Sequence, residues 1–445
     1  MAAHPLVQNY APDAAFAYRD GRCISVDQFL RDVTHLAALL PERRHILNLC
    51  DDRYRFAVGF SAALLRNQIS LLPPNHTPDL IEQLSSRYAA VYCLTDRASP
   101  PPSVETVFYP PPGDAGRQAA PVPGIPTDQT AAFVFTSGST GQPVANKKTW
   151  GALVSSARAE AKRLNMSARL GLTIVATVPA QHMYGLESTV LLAMQNGLAL
   201  HAQRPFYPAD ISAALASLSR PRGLVTTPVH LRVLLAETIN LPPLDFLLCA
   251  TAPLPPQLAA DAEARFAVPL HEIYGCTEAG QVATRRTAKT AHWRLFQGIT
   301  LRQDKKGTWV SGGHVETEVL LSDVIEVTGR DTFLLHGRTA DMINIAGKRT
   351  SLAHLNYHLN SIDGVRDGVF VMPHDEGETV TRLMAFVVAP SLSHAAVINA
   401  LRQRIDAIFL PRPLCLVDAL PRNATGKLPQ QALQRLMSER SARRD

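Results

Sequence analysis

The chain has 445 residues, 46% of them hydrophobic and 18% charged, with a formal net charge of +6. That length exceeds one ordinary domain, and that apolar content excludes a disordered chain, a fibre or a small disulfide scaffold. No uninterrupted apolar run approaches the roughly 18–20 residues of a membrane-spanning helix, so no membrane span is expected.

The opening MAAHPLVQNYAPDAAF lacks a charged start followed by an apolar stretch, so no secretion signal is expected there. Cys23, Cys50, Cys93, Cys249, Cys276 and Cys415 are scattered without a CxxC pair. This usage points to reduced thiols in the cytoplasm and away from a zinc knuckle. Short apolar runs rich in β-formers then alternate with helical stretches, the pattern of an α/β protein. HILNLC (45–50) reads as a buried strand, YRFAVGFSAALLRNQ (54–68) as an Ala-rich helix, and ISLLPPN (69–75) as a strand ending in a turn. Residues 98–128 are proline-rich with little periodicity and read as a surface loop or connector. AAFVFT (131–136) is a strand, TWGALVSSARAEAKRL (149–164) opens a helix, and LTIVATVP, LALHAQR and GLVTTP supply further strands. From about residue 315 the pattern turns strand-rich, which predicts a β-subdomain. A polar hinge near 337–341 then precedes a terminal unit of ordinary domain size. Residues 401–445 hold nine Lys/Arg against four acids, most of the chain's excess charge. A basic surface of that kind suits an anionic ligand or an acidic partner, or is simply a solvated helix face. Nucleic acid is disfavoured, because no zinc finger, RNA-binding aromatic motif or long basic run accompanies it.

The strongest local signal is FTSGSTGQP (135–143). A strand runs into Thr136-Ser137-Gly138-Ser139-Thr140-Gly141, six small residues that leave backbone N–H groups unshielded. Hydroxyls add donors and glycines permit the turns that wrap an anion, so the loop can cradle a triphosphate. It is not a Walker A loop. Gly347-Lys348 and Gly426-Lys427 also fail that pattern, with Met342 and Pro421 where the first glycine would stand.

At this loop the sequence resembles the adenylate-forming superfamily of acyl- and aryl-CoA synthetases, peptide-synthetase adenylation domains and luciferases. IYGCTEAG (273–280), LLHGRTADMINIAGKRTS (334–351) and LPRNATGKLPQQAL (420–433) match that superfamily's later motifs in order. The resemblance implies a large N-terminal domain, residues 1–337, of helix-flanked sheets plus the β-subdomain. A small mobile α+β lid, residues 338–445, would follow. It implies ATP and Mg²⁺ as cofactors, with Thr277 and Glu278 at the phosphates, Glu278 on the metal, and Tyr274 with Gly275 beside the adenine. Asp323 would accept from the ribose hydroxyls; Ser322 stands before it where the family usually has glycine. Arg338 would also reach the ribose and Arg349 the phosphates. Lys427 would be the adenylation lysine, a cation placed between attacking carboxylate and α-phosphate. Two positions depart from the family. Val144 follows Pro143 where a lysine is usual, leaving Lys147 or Lys148 to substitute, and Ala340 occupies the hinge position.

VPAQHMYGLES (178–188) resembles the acyl-pocket segment, with His182 where amino-acid activators carry aspartate. An α-amino acid is therefore disfavoured, since a buried ammonium would lack its partner. Tyr184, His230, Ala250, Thr251 and Ala252 would line the same cavity, Tyr184 either meeting a phenol or packing as core. The wording around the loop and the basic tail resemble stand-alone ligases of bacterial aryl-polyene and xanthomonadin pigment pathways. Those activate 4-hydroxybenzoate-like acids for CoA or an acyl carrier protein. The resemblance thus implies a carboxylic acid substrate, an aromatic one favoured, and the phosphopantetheine thiol of CoA or an acidic acyl carrier protein as acceptor. A fatty-acid ligase and a non-catalytic nucleotide-binding protein on the same fold are the alternatives.

Overall fold

The computed structural model describes residues 2–98, 104–111, 121–137, 143–338, 342–345, 348–372, 383–423, 426 and 428–441. Of Ser137, Arg338, Met342, Asn344, Lys348, Arg349, Gln430, Glu439, Arg440 and Ser441, the backbone alone is described.

The first half builds a six-stranded sheet in the order Pro143–Thr149, Thr130–Ser137, Ile69–Leu72, His45–Asn48, Val91–Thr95, Thr106–Phe108. Only the first pair is antiparallel. All four residues of His45–Asn48 and of Ile69–Leu72 are buried, as parallel strands covered on both faces must be. The helix between them, Arg53–Leu65, starts at Asp52, whose side chain accepts the N–H of Arg55 at 3.0 Å. That helix is apolar nearly all round because it packs on this sheet and on the larger one. The proline-rich segment is more ordered than its composition predicts. Thr106–Phe108 extends the sheet edge and Gly124–Pro126 pairs with Ala3–Pro5, because Val107, Tyr109 and Ile125 find apolar surface to cover.

The larger sheet has a parallel centre. Its order there is Leu270–Cys276, Phe246–Cys249, Arg222–Thr226, Thr173–Ala176, Ala199–His201 and Ala15–Arg19. Antiparallel strands Gly280–Arg285, Trp293–Leu295, Thr332–Arg338 and Asp323–Val327 continue one side, and Arg22–Ser25 closes the other. The strand-rich region thus begins at Leu270, ahead of the expected 315. A three-stranded meander, Ile299–Asp304, Gly307–Gly312 and Val315–Leu320, joins it. Tyr274, Trp293, Phe333 and Val310 share one core there.

Beyond residue 342, the hairpin Met342–Ile345/Lys348–Ser351 leads to the helix Leu352–Asn360 and the sheet Asp367–Val371, Met384–Val388, Leu414–Leu416. Their apolar side chains, from Ile343 to Leu414, form a core of their own, and Gln430–Ser441 is the last helix. Among the described residues, no helix is long and apolar enough to cross a membrane.

Candidate functional site

Four adjacent parallel strands end at one edge, and the predicted acyl-pocket segments together with Tyr274 and Gly275 hang from it. Thr173–Ala176 leads into His182 and Tyr184, Arg222–Thr226 into Thr227 and His230, and Phe246–Cys249 into Ala250–Ala252; Leu270–Cys276 itself carries Tyr274 and Gly275. The carboxyl edge of a parallel sheet is where open α/β folds bind ligands.

Tyr274 is buried and donates its hydroxyl to Asp323 Oδ2 at 2.7 Å. Its ring stands 5.6 Å from both Trp293 and Phe333, so the side chain is fixed on three sides. Asp323 opens its strand opposite Arg338, the last residue of Thr332–Arg338, which puts the two predicted ribose contacts in direct register. The side chains of Arg338 and Arg349 are outside the described residues; Arg349 pairs with Asn344 along the hairpin. After Tyr274 the chain turns sharply. A Cβ on Gly275 would lie 2.3 Å from the carbonyl oxygen of Gly280, and Gly280 itself has φ +79°. Only glycine fits such an approach and such a backbone. The turn Thr277–Ala279 stands between them, half-burying Thr277 and exposing Glu278. An exposed carboxylate at a rigid tip is a hard-oxygen donor of the kind Mg²⁺ shares with phosphates.

Thr136 and Ser137 end the strand Thr130–Ser137, and Ser137 faces Pro143 across the antiparallel ladder. Gly138, Ser139, Thr140 and Gly141 lie outside the described residues, as do Ala340 and Lys427. Of the two alternative lysines, Lys147 is exposed and Lys148 is buried, with Nζ donating to the Glu278 carbonyl at 2.7 Å. Burial lowers the Lys148 pKa, against the pull of Glu187, Cys276, Glu316 and Glu278.

His182 caps the short helix Met183–Gly185, its Nδ1 accepting the N–H of Tyr184 at 3.2 Å. Tyr184 is buried and donates its hydroxyl to the Thr226 carbonyl at 3.2 Å. A phenol could therefore meet that oxygen only as a donor. Thr227 caps the helix Pro228–Ala236 and its Oγ1 sits 2.8 Å from His230 Nδ1. His230 is buried against Phe206 (centroids 5.1 Å), and its Nε2 has no hydrogen-bond partner among the described residues. Burial and the charge of Arg204 hold its pKa down at about 4, so the ring is neutral at pH 7. Thr251, a β-branched residue, takes φ +85°, backbone strain beside the small residues Ala250 and Ala252.

The terminal unit touches this edge. Gly426, next to Lys427, is buried so closely that a Cβ would meet Val229 Cγ2 at 2.9 Å and Thr227 Oγ1 at 3.8 Å. Arg422 braces the segment with Nη1 to the Gly426 carbonyl at 3.0 Å, while Nε and Nη2 grip both oxygens of Asp367 at 2.6 and 2.8 Å. From the other side Arg232 pairs with Asp367 at 3.8 Å and donates to the Arg366 carbonyl. Arg422, counted in the sequence as part of a basic surface, is thus an internal brace.

Sequence reasoning missed Arg53. Its guanidinium is 1% exposed and donates to Thr189 Oγ1 (2.8 Å), Ala176 O (3.2 Å) and Val178 O (2.7 Å). It ties the smaller sheet's helix to the loop before His182, and burial lowers its pKa to about 9. Its only signal, an arginine behind the N-cap in DDRYRF, looks like any helix start.

This edge, roofed by a small terminal unit, defines the class of protein, the fold of the adenylate-forming ligases. The Bacillus subtilis o-succinylbenzoate-CoA synthetase solved with ATP and magnesium shares it at a TM-score of 0.79 and 18% identity, over 95% of this chain and 97% of that one. The anthranilate-CoA ligase AuaEII with anthranoyl-AMP does so at 0.77 and 16%, over 97% and 95%. Residues 7–305 match the AMP-binding enzyme family, and the chain belongs to it. Its curated relatives include the 4-coumarate–CoA ligase of Rhodobacter capsulatus, 29% identical over 304 residues (67% of this chain, 75% of that protein). Another is the 3-hydroxybenzoate–CoA/4-hydroxybenzoate–CoA ligase of Thauera aromatica, 24% identical over 358 residues (70% and 67%).

Proposed function

We propose that the protein is an ATP-dependent acid–thiol ligase that adenylates an aromatic carboxylic acid and passes the acyl group to a phosphopantetheine thiol. The observation that carries this reading is the convergence on one sheet edge of the Tyr274–Asp323 hydrogen bond, the Thr277–Glu278 turn and the segment bearing Lys427. Adenylation brings two anions together, so it needs donors and cations already in position when the bond forms. The loop 136–141 and Thr277 would hold the phosphates; Tyr274, Gly275, Asp323 and Arg338 would hold the nucleoside; Arg349 and Lys427 would meet the developing charge. Glu278 would hold Mg²⁺, which would supply charge neutralisation at the phosphates.

The acid would lie among His182, Tyr184, His230 and Ala250–Ala252. A neutral His230 with a spare Nε2 suits a polar ring substituent better than a bare acyl chain. The aromatic acids named for the coumarate and hydroxybenzoate relatives support the same class, a hydroxybenzoate included. CoA, the acceptor in those names, and an acidic acyl carrier protein, as in pigment biosynthesis, are the two acceptors to compare. We assign the adenylating domain to residues 1–337 and the lid to 338–445, acting in the cytoplasm.

Pyrophosphate release measured with aromatic acids, fatty acids and amino acids, then with CoA or carrier protein added, tests the reading. Aromatic acids are expected to lead. Lys427→Ala should cut acyl-adenylate formation by orders of magnitude while ATP still binds; a near wild-type rate would remove Lys427 from the chemistry.

A further inference from the structure

We propose that Lys148 is a positioning residue for the reaction: its buried ammonium holds the backbone of the Thr277–Glu278 turn from below, while the carboxylate of Glu187 abuts the far end of that turn at Gly280. This rests on the reading of Glu278 given above.

An ammonium is rarely buried without partners, because contacts inside the protein must replace the hydration it loses. Lys148 is 6% exposed, and its Nζ donates at 2.7 Å to the peptide carbonyl of Glu278, leaving that residue's carboxylate exposed at the tip. Two further carboxylates act on it, those of Glu187 and Glu316. Both are themselves held in place. Glu187 Oε1 accepts from Ser156 Oγ at 2.7 Å, and Glu316 Oε1 from Thr149 Oγ1 at 2.8 Å. The far end of the turn rests on the same group, since a Cβ on Gly280 would come within 3.0 Å of Glu187 Oε1. The charge therefore fixes the main chain of the turn, while the glutamate side chain keeps its oxygens for a ligand.

Glu187 brings a second connection. It lies in Leu186–Leu191, a π-helical insertion that follows the helix holding His182 and Tyr184. Such insertions cluster at functional sites. Glu187 abuts Gly280 while Lys148 bonds the Glu278 carbonyl, so the segment expected to hold the acid packs directly against the turn expected to hold the metal and phosphates. The sequence order hides this, because 130 residues separate Lys148 from Glu278.

The experiment is a titration of Mg²⁺ against binding of a fluorescent ATP analogue to the full-length protein, with melting curves in parallel. Lys148→Met keeps the stem and removes the donor, and should raise the half-saturating Mg²⁺ about tenfold, the scale of one hydrogen bond from a charged group. Lys148→Arg should restore most of the loss, and Glu187→Gln should shift the midpoint in the same direction as Lys148→Met. A purely structural lysine would change melting in both Lys148 variants and leave the Mg²⁺ midpoint on the wild-type curve; that result overturns the proposal. Should Lys148→Met not fold, Lys148→Arg and Glu187→Gln decide alone, an unmoved midpoint in Glu187→Gln again overturning it. Wild-type protein that binds no ATP would sink the adenylation reading and this one together, whereas normal wild-type binding with unmoved variants sinks this one only.

Discussion

Glu160 gives the sharpest test of the buried polar layer behind the site. It lies on the helix Trp150–Arg163, fully buried, with Oε2 accepting from Gln281 Nε2 at 2.9 Å and Oε1 unpartnered among the described residues. Gln281 also donates to Ser188 at 2.9 Å, so this carboxyl links the acyl-pocket helix to the strand leaving the Thr277–Glu278 turn. Burial raises its pKa from 4.5 to about 8. Below pH 4.5 folded and unfolded chains both hold the proton. Between pH 4.5 and about 8 the unfolded chain releases it and the native protein keeps it, so stability falls as pH rises, and above about pH 8 the loss levels off. At about 1.4 kcal/mol per tenfold change in ionisation constant, the gap between 4.5 and about 8 amounts to a loss on the order of 5 kcal/mol. Glu160→Gln keeps the shape and the acceptor but cannot ionise. Guanidinium unfolding at pH 5, 7 and 9, followed by intrinsic tryptophan fluorescence (Trp150 on the same helix, with Trp293 and Trp309), should show the variant gaining on wild type by several kcal/mol. Part of the wild-type slope will persist in it, because burial also raises Glu187 to about 7. Parallel stability curves for the two proteins would refute the argument.

Other consequences follow from single contacts. Arg53→Met strands the Ala176 and Val178 carbonyls in the core while Thr189 Oγ1 keeps its bond to Gly185; a stability loss of about 2–5 kcal/mol is expected in thermal melts, and a loss under 1 kcal/mol would show that the guanidinium braces nothing. Gly275→Ala pushes a methyl against the Gly280 carbonyl, so ATP affinity measured calorimetrically should fall by at least an order of magnitude; affinity within twofold of wild type would mean that the turn adapts. Thr251→Gly removes the strain of φ +85° and should stabilise the fold by about 1 kcal/mol, whereas a destabilised variant would mean that the side chain's contacts outweigh the strain.

The candidate site was legible in the sequence to an uneven degree. FTSGSTGQP declares itself because a loop able to wrap phosphates demands small residues and glycines, whereas IYGCTEAG and LLSDVIEV stand out only through their resemblance to the adenylate-forming motifs. The strands also declare themselves: a segment buried on both faces, such as the one around Ile46-Leu47 or Leu71-Leu72, is dominated by aliphatic side chains, with His45, Asn48 and Ser70 as its buried polar residues. The short pairings inside the proline-rich stretch did not, since they form only where another part of the chain offers apolar surface.

What the amino-acid order by itself determined was the alternation of strands and helices, because local spacing carries it, and the family motifs whose residues are proposed to meet the nucleotide. Folding alone decided which of two adjacent lysines goes inside, that Arg53 reaches the loop before His182, that Arg422 is a brace, and that Gly426 seats against Val229. Each of those depends on a buried charge or a close approach finding its partner across a long stretch of chain. Such pairing is set by where the two sheets and the terminal unit meet, which no local pattern encodes.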